Sequence, residues 1–132
     1  LKHIASFNDL IIIDEPEINL HPSNQIIIAR LLARLANKGF RLLISTHSDY
    51  IVREFNNLVI LSQKDNDSII KVAKEYEYKE DEYIKTEDLS VYSFAYKNKR
   101  SKQIVVNEIP ITETGFEVKT MDEVIDKQNN SY

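Results

Sequence analysis

The 132-residue chain has no cysteine, which excludes a disulfide framework and a cysteine metal site. A reducing, cytoplasmic setting is the expectation that fits. It has only two glycines, Gly39 and Gly115. A phosphate-cradling loop of the form GxxxxGK followed by Ser or Thr needs two glycines at fixed spacing, because backbone amides must approach the phosphates closely. These two do not have that spacing, so no such loop lies within these residues. Long apolar runs are missing as well. Leu10–Ile13 is four residues long, whereas a helix that crosses a bilayer needs about 20. No signal-peptide pattern precedes that run, and no membrane partner is expected. The first residue is Leu1 and the only methionine is Met121, so the chain is expected not to begin at a natural translation start. An excess of basic charge is also lacking: 17 Lys and Arg against 21 Asp and Glu leave a net charge of −4. That balance gives no support to a protein that coats nucleic acid, although a local basic patch is compatible with it.

What is present is a globular composition. Hydrophobic residues make up 42% and charged residues 29%, enough apolar material to build a core. Asp9 to Ile13 is a short isoleucine-rich run that ends in acidic residues, as in a strand buried on both faces. Pro22 opens a helix, where its missing amide costs nothing. Ile28, Leu31, Leu32 and Leu35 then follow the spacing of one buried helical face. Gly39 stands where a left-handed helix stop is wanted. A second apolar run, Leu42 to Ser45, follows. Ser48 can cap a helix through about Phe55, with Ile51, Val52 and Phe55 inward. Leu58 to Leu61 reads as a third strand. This βαβαβ order predicts an α/β fold with a parallel sheet covered by helices.

The texture changes after Ser62. Lys64 to Ser68 reads as a polar turn and Ile69 to Ala73 as the return strand of a hairpin. Glu75 to Tyr83, acidic and tyrosine-rich, reads as a solvated connection. Ser90 to Tyr96 and Gln103 to Asn107 alternate apolar and polar residues around a polar turn, Lys97 to Ser101, which predicts a second hairpin. Gly115 breaks the chain, and Met121 to Lys127 is read as a short terminal helix. Residues 1–63 therefore form one lobe and residues 64–132 an extension.

The chemistry concentrates in three short segments. In Leu10-Ile11-Ile12-Ile13-Asp14-Glu15-Pro16-Glu17, a rigid strand delivers Asp14 to the C-terminal edge of the sheet, where parallel α/β folds bind ligands. A carboxylate there can hold the waters around Mg²⁺ that bridges terminal phosphates. Glu15 turns toward the other side of the strand end, placed to polarise an attacking water, and Pro16 stops the strand. Taken alone, this segment is equally well explained by a strand that simply reaches solvent. Asn19-Leu20-His21-Pro22 follows at once, and Ser45-Thr46-His47-Ser48 caps the next strand. The intervening helix is long enough to return the chain to the same edge, so His47 should emerge beside Asp14 and Glu15. An imidazole there can hydrogen-bond a phosphate or the attacking water.

Together these segments make Leu10 to Leu61 resemble the ABC-class ATPase heads, especially the bacterial "AAA family ATPase" branch near the structural-maintenance-of-chromosomes proteins. The resemblance implies a P-loop NTPase-type three-layer lobe with a mainly parallel sheet, plus a small C-terminal β-hairpin and helix. It implies a Walker B strand closed by Asp14-Glu15-Pro16-Glu17, with Asp14 the magnesium-side carboxylate and Glu15 the catalytic base. Asn19 to Pro22 would be the D-loop that crosses a dimer interface, with Asn19 and His21 on the nucleotide side, and His47 the γ-phosphate sensor. ATP and Mg²⁺ are the implied cofactors. The implied partners are an N-terminal ATPase lobe and a second head. The Walker A loop, the Q-loop and the Ser-Gly-rich signature of that family are absent from these residues, so ATP affinity of this stretch alone should be poor. The alternative is a non-catalytic remnant of such an ATPase that serves as a protein-interaction module. Phage defence or DNA transactions are suggested by analogy with the branch.

Other clusters have simpler accounts. Ser45, His47 and Asp49 are too close in sequence to form a hydrolase triad, whose members come from separate elements. Asp65-Asn66-Asp67 reads as a turn rather than a metal site, and no carboxylate cluster beyond Asp14 and Glu15 supports a metal nuclease. Lys97, Lys99, Arg100 and Lys102 read as a solvated hairpin tip in preference to a nucleic-acid contact. Tyr76, Tyr78 and Tyr83 are expected to cover a sheet edge. His21 either contacts a partner or caps the following helix.

Overall fold

The computed structural model describes residues 6, 8–63, 67–98 and 100–118. The chain divides into two compact units, Leu1–Lys85 and Thr86–Tyr132. In the first unit the order is β1 (Leu10–Asp14), α1 (Pro22–Asn37), β2 (Arg41–Ser45), α2 (Asp49–Leu61) and α3 (Asp67–Glu75), followed by a 3-10 turn at Glu80–Glu82. β1 and β2 pair in parallel, in register from Leu10 opposite Arg41 to Asp14 opposite Ser45.

Side chains alternate across both strands. Ile11, Ile13, Leu42 and Ile44 form a half-buried face. The opposite face leaves Leu10, Ile12 and Leu43 exposed, Ile12 at 68%. Strands read as buried on both faces are thus covered on one, and the described residues supply two of the three expected layers. Parallel strands normally have both faces covered, so this apolar face is an uncovered surface rather than an ordinary exterior.

α1 begins with Pro22 at its first turn and His21 at its N-cap, and it ends in a Schellman turn. The Phe40 amide donates to the Leu35 carbonyl at 3.2 Å and the Gly39 amide to the Ala36 carbonyl at 2.9 Å. Gly39 sits at φ 99°, which a Cβ would oppose. The fully buried positions of α1 are Ala29, Leu32 and Ala33, while Leu31 is 43% exposed. The inward stripe, Ala29, Leu32 and Ala33, is rotated from the expected one on a helix that packs against α2 and the Glu80–Glu82 turn.

α2 runs unbroken to Leu61, so the strand expected at Leu58–Leu61 is instead the last turns of this helix. Its inward stripe is Ile51, Glu54, Leu58 and Leu61, and the charged residue within that stripe disguises the helical period. Ser48 caps the helix as expected, its hydroxyl accepting from the Ile51 amide at 3.2 Å. The return strand expected at Ile69–Ala73 is also helical, as part of α3. Ile69, Val72, Ala73 and Tyr76 stand at helical, not alternating, intervals.

The connection read as solvated is tied down. Glu82 is 3% exposed and Ile84 6%. The Asn37 side-chain amide donates to the carbonyls of Asp81 and Tyr83, each at 2.8 Å. Tyr78 covers no sheet edge. Its ring lies 4.0 Å from the Arg30 guanidinium, and its hydroxyl donates to Glu54 Oε2 at 3.1 Å. Glu54 Oε1 accepts from Arg30 Nε at 2.7 Å. Burial draws the Arg30 guanidinium down, but its hydrogen bond and charge pairing with Glu54 outweigh that and leave its pKa raised. Burial, then the Glu54 charge, pushes the Tyr78 phenol up.

The second unit holds β3 (Val91–Tyr96) and β4 (Ile104–Ile109), paired antiparallel from Val91 opposite Ile109 to Tyr96 opposite Ile104. The hairpin expected from alternation is present, with its second strand starting one residue later and ending two residues later than the alternating run. Gly115, at φ 92°, closes a turn in which Thr112 and Gly115 exchange backbone hydrogen bonds. The terminal helix expected at Met121–Lys127 and the turn residues Asp65 and Asn66 lie outside the described residues, while Asp67 starts α3. Among the described residues no helix is long and apolar enough to cross a membrane.

Candidate functional site

The parallel register puts Asp14 directly beside Ser45 at the C-terminal ends of β1 and β2. The Ser45 hydroxyl donates to Asp14 Oδ1, which orients that carboxylate at the sheet edge. The chain then turns sharply. Glu15 adopts φ 46° and Asn19 φ 61°. Asparagine tolerates the left-handed region, but a glutamate held there costs on the order of 1–3 kcal/mol, which the surroundings must offset. The offset is visible: the Glu15 amide donates to the Ser45 carbonyl at 3.0 Å, and the amides of Ile18 and Leu20 close turns onto the carbonyls of Glu15 and Glu17.

This turn aims the Glu15 side chain across to the loop that leaves β2. Glu15 Oε1 lies 3.2 Å from His47 Nε2, with the Glu15 side chain 37% and the His47 side chain 85% exposed. Asp14, Glu15 and His47 therefore meet at one sheet edge. Asn19 and His21 do not join them. Asn19 is exposed within the turn, and His21 serves as the N-cap of α1, its Nδ1 accepting weakly from the Ser23 amide at 3.4 Å.

Two further residues organise the loops, and sequence alone had given neither a role. Glu17 Oε1 accepts from the His47 amide at 2.7 Å and from the Thr46 hydroxyl at 2.8 Å. Gln25, on the first turns of α1, donates from Nε2 to the Leu20 carbonyl at 2.9 Å and accepts from the Ser48 hydroxyl through Oε1. Glu17 belongs to the acidic run that marks the strand end, so its charge was visible. Nothing in the local pattern distinguishes Gln25.

Residues 2–52 match the family model of the AAA ATPase domain. The matched segment holds β1, the turn, α1, β2 and the loop with His47, so the residues that build the site are AAA-like, consistent with a fragment of a P-loop ATPase. The match spans under half of the chain. No curated protein and no solved structure gives a significant match.

ATPases of the AAA family generally bind ATP with Mg²⁺. Among the described residues no group of three or more His, Cys, Asp and Glu could hold a metal by itself. Mg²⁺ does not require one. It keeps several waters and takes one or two carboxylates together with substrate phosphates. Asp14, carboxylate outward at the strand end, fits that role, with the phosphates as the remaining ligands. A cavity of about 450 Å³ between α1, α2 and α3, lined by Ile26, Ile60, Ile69 and Val72 among others, contains none of these residues.

Proposed function

We propose that residues 1–63 are the Walker B-to-histidine-switch lobe of an ABC/SMC-like ATPase head that hydrolyses ATP in its complete form. The observation that carries this reading is the 3.2 Å approach of Glu15 Oε1 to His47 Nε2, delivered from two neighbouring parallel strands beside Asp14. Two carboxylates and an imidazole on one sheet edge are what phosphoryl transfer to water asks of the protein, since its catalysis is mainly positioning and charge stabilisation. Bound Mg²⁺ supplies neutralisation of phosphate charge. Asp14 would hold the ion's waters. Glu15 takes the proton of the attacking water at a carboxylate oxygen, and its strained backbone fixes the direction of that oxygen. His47 Nε2 lies 3.2 Å from Glu15 Oε1, and its exposure leaves it free to face a γ-phosphate. Asn19 to Pro22 form the D-loop, with Asn19 on the nucleotide side and His21 locking the start of α1.

The glycine-rich grip on the phosphates comes from a further lobe, and the site is completed at the interface of two heads. The uncovered face of Leu10, Ile12 and Leu43 is where a further layer of such a head would pack. Residues 64–132 follow that lobe as an extension in sequence, of which the stretch to Lys85 belongs to the same compact unit. A cytoplasmic ATPase active in phage defence or DNA transactions is the setting that analogy suggests.

The same uncovered face, with no phosphate-gripping loop in these residues, also favours a second reading, a non-catalytic interaction module. One experiment separates them. The chain is combined with an N-terminal lobe that carries a P-loop, and binding of a fluorescent ATP analogue is measured with Mg²⁺. The ATPase reading expects binding by the combination that neither part shows alone. Association of the lobes with no nucleotide binding would leave the interaction module.

A further inference from the structure

We propose that Glu17 is the positioning residue of the His47 loop, a role that rests on the ATPase reading for its functional meaning but not for its geometry. Both loop contacts converge on one oxygen: Glu17 Oε1 accepts from the His47 amide at 2.7 Å and from Thr46 Oγ1 at 2.8 Å. Donor directions follow from chemistry. The Ser48 amide donates to Thr46 Oγ1 at 3.0 Å, so the Thr46 hydroxyl proton is directed at Glu17. The carboxylate therefore fixes three consecutive residues, Thr46 to Ser48. Hydrogen bonds to an ionised acceptor are about twice as strong as neutral ones, and these two span the separation between the strand-end turn and the loop after β2.

The other oxygen, Glu17 Oε2, is buried and has no hydrogen-bond partner among the described residues. A buried acceptor left unpaired is costly, so the side chain is not placed for its own solvation. It is held by the contacts of Oε1. The consequence is mechanical. Glu17 lies two residues from Glu15 and two from Asn19, so any displacement of the turn by a docking partner is passed to the His47 backbone. In the complete head this makes Glu17 the link between the D-loop and the γ-phosphate sensor. It touches no reacting atom.

The test has two arms. In the first, amide hydrogen exchange at His47 is followed by NMR in the 132-residue chain, with no nucleotide needed. Glu17→Ala should speed His47 exchange by about 10-fold or more while the Leu58 amide of the helical core keeps its rate. Glu17→Gln retains an acceptor oxygen but not the charge and should raise exchange less than Glu17→Ala. Thr46→Val, which removes the hydroxyl link and keeps the carboxylate, should give an intermediate rise and serves if Glu17→Ala fails to fold. His47 exchange unchanged in both Glu17→Ala and Thr46→Val overturns the proposal. In the second arm, turnover is measured in the complete ATPase. Glu17→Ala should lower kcat by about 10-fold with little change in KM for ATP, and Glu17→Gln, which keeps a neutral acceptor, should lose less than Glu17→Ala. Glu17→Gln as inactive as Glu15→Gln would make Glu17 a reacting carboxylate and overturn the positioning role. If the wild-type assembly hydrolyses no ATP, the ATPase reading fails, and the exchange arm still decides whether Glu17 holds the loop.

Discussion

Glu15 and His47 meet at 3.2 Å across the exits of two parallel strands, and the meeting depends on a register fixed one residue earlier, where Asp14 pairs with Ser45. A slip of that register by one residue would send both side chains to opposite faces of the sheet. The chemistry of the edge is therefore set by the packing of α1, which returns the chain from one strand to the other. It is set equally by the positive φ that turns Glu15 out of line with β1.

His47→Ala should reduce ATP hydrolysis in the complete head by roughly 10²-fold, the scale lost when one preorganised donor is removed. Steady-state turnover with Mg-ATP measures it. Because the His47 side chain is exposed, the melting temperature should stay close to wild type, which separates this loss from misfolding. Unchanged turnover would remove His47 from the mechanism.

The pair formed by Glu54 and Arg30 predicts an asymmetric response. Glu54 is 5% and Arg30 21% exposed in their side chains. Glu54→Leu should destabilise the fold by about 3 kcal/mol, toward the low end for a broken buried pair because Arg30 keeps some contact with water. Adding Arg30→Met should recover part of that loss, since the uncompensated charge is gone. Urea denaturation of the two variants checks the order.

Tyr78 gives a pH dependence whose sign is fixed. Burial, then the Glu54 charge, raises its pKa above the ordinary phenol value of about 10. The folded state then holds its proton more tightly than the unfolded state, so this contribution to stability is fully present below pH ~10 and is lost as pH rises through the higher folded value. Tyr83 is raised as well, by burial and then by the charges of Glu80 and Glu82. Tyr78→Phe should flatten part of the alkaline fall in melting temperature, with the remainder left to Tyr83. An alkaline slope unaltered by Tyr78→Phe would contradict the assignment.

Gly39→Ala should cost about 1–2 kcal/mol, because an L-residue at φ 99° brings Cβ against the backbone. The loss should appear as a lower urea midpoint with an unchanged slope.

Much of the first unit was legible in the sequence. The isoleucine run, Pro22, Gly39 and Ser48 marked β1, the ends of α1 and the cap of α2, and alternation marked the β3–β4 hairpin. Of the three segments singled out, the acidic strand end and the histidine loop meet at the sheet edge, and both were visible in the pattern; the Asn19–Pro22 turn between them does not join the edge. The errors have local causes. Glu54 interrupts the apolar stripe of α2, so Leu58–Leu61 looked like a separate strand. Ile69, Val72 and Ala73 are few enough to pass for either period. The contacts of Glu17 and Gln25 could not be read, because their partners lie across the fold and become neighbours only once β1 and β2 are paired. The open face of Leu10, Ile12 and Leu43 has the opposite character: the residues promised burial, and the described part of the chain supplies none.

The central claim is that this sheet edge is the hydrolytic side of an ATP site with Glu15 as its base. The measurement that tests it most directly is a single-turnover assay of Mg-ATP on the complete head, wild type against Glu15→Gln, with nucleotide binding followed in parallel. The account predicts that Glu15→Gln binds ATP as wild type does and hydrolyses it roughly 10²- to 10⁴-fold more slowly, the range a positioned acid–base group contributes. Turnover by Glu15→Gln at the wild-type rate would contradict it.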